Sequence, residues 1–493
     1  MSKTFKNTII YVLLGFISPA INFILIPLYT NYLSPEQYGI ITISVVFQAI
    51  LNIVIGLGLV GTYHRFYYDY DDQKSINSLF DTCISINILT TIFLSLGLFF
   101  YGDLIFKDLF ETTEFTMNKY GWWVVLTAIS GIIQNFILAE YRNKEEAGKY
   151  SIYSFLFFIA TVIGVFIGVV VLKANALGSI IGRSIGISIP IFIYLLFVYK
   201  NRKFEIQYNN IGKLLNYGYP IMIYATLTFL YNNSDRVIIS KYLNTSTLGL
   251  YGFAMSIAAV CEIMANAMNN TFMPKINKMM KDVDDIVFLK EIKLQFSYIF
   301  IMMLIVIVSL IAFTMPGIKY FINNKYHETI IWMPLIYIAY ISRVYYIVYS
   351  FPIFYYKKTK VLIPITVLTL IITVVVSILL LPKLGVFALI IVLFFSNATQ
   401  VISIIIYNKK VGIYNDYLYS FKSIHIQYLF IIGLVLVGYL LYYDVFNENI
   451  DYFIYYNLVV WGASVLLMLK MNPEYYNRFM QILKSKLRLS PNK

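Results

Sequence analysis

Apolar runs recur from one end of this chain to the other, and their length decides what it can fold into. A helix needs about 20 mostly apolar residues to cross the hydrocarbon core of a bilayer. Fourteen such segments can be marked, starting near Thr8, Ile40, Asn77, Met117, Tyr150, Asn175, Leu214, Leu248, Ile292, Thr329, Val361, Val386, Ile424 and Tyr452. Hydrophobic types make up 59% of the 493 residues and charged types 13%, against roughly 25% charged in soluble domains. A soluble enzyme, a disordered chain, a secreted disulfide scaffold and a single-pass anchor are all excluded. The runs are continuously apolar rather than alternating, which excludes a β-barrel. The expected fold is all-α and polytopic, with about 14 transmembrane helices.

The net charge of +13 would point to nucleic acid in a soluble protein. In a polytopic chain the positive-inside rule accounts for it, and no nucleic-acid partner is expected. With the N-terminus inside, 28 of the 38 Lys and Arg fall in inside segments and 8 in outside loops. That asymmetry predicts cytoplasmic N- and C-termini in a cytoplasmic (inner) membrane. The remaining two, Arg183 and Arg343, fall within helices. The start, MSKTFKNTIIYVLLGF, continues apolar to about Leu33 and reads as an uncleaved first helix rather than a signal peptide. In the tail, Phe479, Ile482, Leu483 and Leu487 recur at helical spacing among Lys484, Lys486 and Arg488. That pattern predicts a basic helix lying on the inner-leaflet lipids. Tyr and Phe crowd the segment ends, as in YYKKTK, and read as interfacial belts. Cys83 and Cys261 lie in apolar runs and read as small buried hydrophobes.

Two passages repeat. Tyr32, Leu33 and Gly39 match Tyr242, Leu243 and Gly249 at an offset of 210, and Leu177-Gly178 matches Leu384-Gly385 at an offset of 207. The offset spans six helices, so the copies keep one orientation, as in parallel-repeat transporters with a central cavity. Domains are expected at 1–206 and 207–410, each a six-helix bundle, with 411–493 holding two extra helices and the tail.

The stretch IPLYTNYLSPEQYG closing the first helix, GLGLVGTYHRFY closing the second, and YGYPIMIYATLTFLYNNSDRVIISKYL with LGLYGFA at the seventh and eighth resemble polysaccharide-biosynthesis flippases of the Wzx type. These belong to the multidrug/oligosaccharidyl-lipid/polysaccharide (MOP) exporter superfamily. The resemblance implies two six-helix bundles in a V. It also implies alternating-access transport of a polyprenyl-pyrophosphate-linked oligosaccharide from the inner to the outer leaflet, for O-antigen or capsule assembly beside a polysaccharide polymerase machinery. No enzyme activity and no cofactor are expected, since the sequence has no GxxxxGK[ST], no HExxH and no metal-spaced His cluster.

Ionisable groups within the membrane are costly, at least ~2.5–3.5 kcal/mol each at the bilayer centre. Arg183 lies about 12 Å into the sixth helix at 1.5 Å per residue, and Arg343 lies mid-way in the tenth. A pyrophosphate crossing hydrocarbon as a bare ion would face tens of kcal/mol. Guanidinium groups in a wet cleft, bonding phosphate bidentately, remove most of that barrier. Arg183 and Arg343, then Arg236 and Arg65, are therefore the expected substrate-binding residues. The alternative is that Arg183 and Arg343 pair with Glu262 or Asp235, and that Arg65 is a plain inside charge. Glu262 and Asp235 are the expected ion-coupling residues, for H+ or Na+, since a carboxylate held in the membrane can carry an ion. His64 lies too near the inner surface to rank with them. Pro19, Pro27, Pro190, Pro220, Pro334 and Pro352 are expected to kink their helices.

Two other classes compete. Asp69-Tyr70-Asp71 and Asp282-Val283-Asp284 resemble the DxD of sugar transferases, which would make the chain a membrane glycosyltransferase or polymerase. Both sit in short loops without a nucleotide-binding domain. A drug/cation antiporter of the same superfamily would favour acidic cavities, whereas the deep charges here lean basic.

Overall fold

The computed structural model describes residues 17–110, 114–200, 202–279, 286–413 and 421–471. In chain order its α-helices are α1 (Ile17–Tyr32), α2 (Pro35–Gly56), α3 (Leu59–Phe66), α4 (Gln73–Phe110), α5 (Trp122–Asn143), α6 (Ala147–Phe166), α7 (Asn175–Tyr199) and α8 (Ile211–Tyr242). They continue as α9 (Thr245–Met279), α10 (Ile286–Phe321), α11 (Thr329–Ala339), α12 (Ile341–Tyr355), α13 (Leu362–Leu384), α14 (Val386–Lys410), α15 (Lys422–Asp444) and α16 (Ile450–Met471). No strand occurs among the described residues. Helices suit a bilayer because they satisfy their own backbone groups where no water is available. The basic tail and Asp282-Val283-Asp284 lie outside the described residues.

Twelve of the helical stretches are long and apolar enough to cross a membrane, with α11 and α12 forming one of them. The other two expected segments correspond to α1 and to α8, which carries Asn232, Asn233, Asp235 and Arg236. Phe93, Phe99 and Phe100 on α4, Phe192 and Phe197 on α7, and Leu379 on α13 stand exposed. In water these would form large apolar patches; against lipid tails they are at no disadvantage. The chain is a multi-pass membrane protein, all-α as expected.

Packing divides it into two compact units: Met1–Ser256 with Val374–Val386, and Ile257–Thr373 with Phe387–Lys493. In the first, α2 packs on α5, α8, α4 and α7, while α6 packs along α7. Phe47, Phe106 and Phe115 form one aromatic cluster there, and Tyr63, Phe80 and Phe136 another. In the second, α10 is the central helix, packed on α11, α12, α15 and α16. Phe300, Tyr345, Phe421, His425 and Tyr428 fill its core, with Tyr428 Oη donating to the Phe300 carbonyl at 2.7 Å.

Within the first unit the starts of α2 and α9 cross closely. Ser34 caps α2 by accepting from the Gln37 N–H at 3.2 Å, with Pro35 in the first turn, the arrangement that starts a helix well. A Cβ on Gly39 would lie 2.0 Å from the Thr245 carbonyl oxygen, and one on Gly249 1.8 Å from that of Pro35. Residues 210 apart thus exchange places: Gly39 meets Thr245 as Gly249 meets Pro35. Gly252 meets Thr42, its own counterpart.

Helix breaks fall at places the sequence pattern did not mark. The second expected segment ends in two pieces, α2 and α3, because Leu57 and Gly58 take φ of 47° and 70°. The tenth is interrupted at Tyr340, between Pro334 and Pro352 rather than at either. There the Ser342 hydroxyl donates to the Ala339 carbonyl at 2.6 Å and the Arg343 N–H to the Tyr340 carbonyl at 3.0 Å, a local tightening that competes with the regular ladder.

Candidate functional site

The second unit holds a cavity of about 260 Å³ between α9 and α12. One wall carries Asn266, Asn269, Met273 and Asn277; the other carries Arg343, Tyr346, Ser350, Phe351 and Phe354. The positions explain the wall. On α9, Glu262, Asn266, Asn269, Met273 and Asn277 follow one another by three or four residues, so they share one face of the helix. On α12, Arg343, Tyr346, Ser350 and Phe354 do the same. The break at Tyr340 starts α12 just before Arg343.

Arg343 Nη2 donates to Glu262 Oε1 at 2.6 Å, and Asn266 Nδ2 to the same oxygen at 3.2 Å. The guanidinium carbon lies 5.1 Å from the centre of the Tyr346 ring. Arg343 Nε is buried without a hydrogen-bond partner among the described residues. The two charged side chains retain 31% and 36% of their exposure, so the pair faces open space. The alternative weighed from sequence, an Arg343–Glu262 ion pair, is present, with a hollow beside it.

Arg183 lines a much smaller hollow in the first unit, about 20 Å³, with Ser44, Gln48, Thr127 and Ser179. That is room for about one water. GSIIGRSIGI explains its placement: Gly182 and Gly186 pack α7 tightly on α6, Gly178 packs on Gly168 just beyond it, and Arg183 falls on the adjoining face, toward α2 and α5. Beside it, Tyr29 Oη and Ser179 Oγ are 2.7 Å apart.

The other expected residues lie apart from these hollows. On α8, Asp235 accepts from Tyr251 Oη at 2.6 Å, and Arg236 Nη1 donates to Asn233 Oδ1 at 2.6 Å. Arg65, exposed at the end of α3, pairs with Asp69 at 2.7 Å, which engages the first acid of the Asp69-Tyr70-Asp71 motif. His64 contacts the Asn143 side chain.

Several polar side chains that the structure places in hollows or buries escaped the sequence reading. The asparagine stripe on α9 is the main one, and its three-and-four spacing from Glu262 is the signal that could have revealed it. Two buried acids are the others. Asp81 is fully buried and ion-paired with Arg202, and it accepts from Tyr199 Oη at 2.5 Å and from the Glu205 N–H at 3.1 Å. Glu140 takes Lys144 at 2.5 Å and the Tyr194 hydroxyl. Arg202, Glu205 and Gln207 bind α4 through Asn77, Ser78, Asp81 and Thr82, so the connection from α7 to α8 is strapped along the start of that helix.

Comparison with known proteins gives these features a setting. Residues 4–280 match the family described as polysaccharide biosynthesis protein. A protein of the Lsg locus of Haemophilus influenzae is 23% identical over 75% of this chain and 89% of its own length. The succinoglycan biosynthesis transport protein ExoT of Rhizobium meliloti is 21% identical over 53% of this chain and 51% of its own. Among solved structures, the lipid II flippase MurJ in an inward closed conformation superposes with a TM-score of 0.69 at 16% identity, covering 96% of this chain and all of that one. An inward-facing multidrug-resistance MATE transporter of the MOP superfamily superposes at 0.64 with 10% identity, covering 80% of this chain and 94% of that one. Likeness at such identities establishes the fold. With the family match spanning more than half of the sequence, the chain belongs to the polysaccharide biosynthesis protein family, on a fold shared with the MOP exporters.

Proposed function

We propose that this protein is a flippase, carrying a polyprenyl-pyrophosphate-linked oligosaccharide from the inner to the outer leaflet of the cytoplasmic membrane for O-antigen or capsule assembly. The observation that carries the reading is the hollow of about 260 Å³ beside Arg343, a polar space within helices long and apolar enough to span a membrane. Polar side chains at that depth are retained where they line a wet path. A relative named for succinoglycan transport and a structural neighbour named as a lipid II flippase support the same substrate class.

In this reading Arg343 contacts the substrate directly, with Arg183, Arg236 and Arg65 as further contacts as it enters and leaves. Glu262, which holds Arg343 at 2.6 Å, and Asp235 serve the coupling to H+ or Na+. The termini lie in the cytoplasm, and a polymerase consumes the product outside.

Deleting the gene tests this directly. Lipid-linked repeat units should accumulate on the inner leaflet, inaccessible to an impermeant sugar oxidant in intact cells and accessible after lysis. Accumulation on the outer leaflet would instead mark the chain as part of a polymerase and end the transport reading.

A further inference from the structure

We propose that the α9–α12 hollow holds the saccharide of the transported lipid and not its diphosphate. This rests on the flippase reading and deepens it. The charge balance of the walls carries the inference. Arg343 is the one cation among the described lining residues, and its Nη2 is taken by Glu262 at 2.6 Å. An entering diphosphate would meet a neutralised guanidinium with a carboxylate against it, and like charges in such a space repel strongly. What remains to bind a guest is polar and uncharged.

Three carboxamides, Asn266, Asn269 and Asn277, lie along one face of α9, and Ser350 and Tyr346 lie opposite. A carboxamide offers both an acceptor oxygen and two donor hydrogens, which matches the mixed donors and acceptors of neighbouring sugar hydroxyls. Phe354, half exposed, and Met273 supply apolar surface for the C–H face of a ring. A volume of about 260 Å³ is near the lower bound of small-ligand pockets, room for about one sugar ring and not for a whole repeat unit. The selection is therefore for a single residue of the glycan, neutral or N-acylated. A uronic acid would meet Glu262 as the diphosphate does.

The test uses the purified full-length protein in lipid nanodiscs. Binding is read by saturation-transfer NMR on a panel of glucose, galactose, N-acetylglucosamine and glucuronate, with inorganic pyrophosphate as competitor. The wild type should bind at least one neutral sugar. Pyrophosphate at equal concentration should not displace it, and glucuronate should bind at least tenfold more weakly. Asn269→Leu should weaken the sugar at least fivefold. Glu262→Gln frees the guanidinium, so pyrophosphate should now compete at least tenfold better; that gain cannot come from misfolding. Pyrophosphate displacing sugar from the wild type, or sugar binding unaltered in Asn269→Leu, or no sugar bound at all, would overturn the assignment. The transport reading falls separately, by the leaflet on which substrate accumulates in the deletion strain.

Discussion

Two ion pairs in this molecule have the same chemistry and different surroundings, and burial decides what each contributes. Arg202–Asp81 leaves its carboxylate with 0% and its guanidinium with 12% exposure. Arg343–Glu262 leaves about a third of each. Removing one partner of a buried pair strands a charge and costs about 3–5 kcal/mol. Removing one from a pair facing a wet hollow costs closer to about 1 kcal/mol. Arg202→Ala should therefore lower the thermal unfolding midpoint of detergent-purified protein clearly more than Arg343→Ala. Arg343→Ala, in turn, should lower surface polysaccharide several-fold at equal expression. An Arg343→Ala protein that is the less stable of the two would show that its pair is structural. Arg343 and Glu262 were both legible as deep charges in apolar runs. Their partnership was weighed there beside a pairing with Asp235, and only the way α9 and α12 lie side by side selects it.

At the scale of helices, the close crossing of α2 and α9 makes a sharp demand. The nearest atom that a Cβ at Gly39 or Gly249 would strike is a backbone carbonyl oxygen of the opposite helix, so no rotamer change relieves the clash. A Cβ on Gly252 would lie 3.3 Å from that of Thr42, close to the ~3.8 Å of a disulfide. A Thr42→Cys, Gly252→Cys protein should therefore cross-link efficiently under mild oxidation, and adding Gly39→Val should abolish the cross-link by prying the helices apart. Persistence of the cross-link in the Gly39→Val background would show that the approach seen here is not what holds these helix ends together. Helix placement was largely readable beforehand. The expected starts at Asn175, Thr329 and Val386 coincide with those of α7, α11 and α14, because contact with lipid is what apolar runs report. The breaks at Leu57–Gly58 and Tyr340 were not readable. They leave hydropathy untouched and turn on backbone dihedrals and one serine hydroxyl.

At the scale of the whole molecule, orientation follows from charges scattered over many loops, each weak alone. With the termini inside as proposed, twenty-eight cations would lie inside against eight outside, a direction that no single loop determines. The two native cysteines, Cys83 and Cys261, are free and fully buried, so an impermeant maleimide has little to react with in the unaltered chain. Single cysteines at Lys173 or Asn323, in loops assigned outside, should label in intact cells. Cysteines at Lys144 or Lys357, in loops assigned inside, should label only after lysis. The stripe of Glu262, Asn266, Asn269 and Asn277 runs along α9 away from the Thr245 end, so the orientation also decides which face of the membrane it approaches. With Thr245 outside, the carboxamides lie toward the cytoplasmic end of α9, the side on which the proposed substrate would load. Labelling in the reversed pattern would put the stripe toward the outer face, and the chain would then have to load cargo from the side to which it is proposed to deliver.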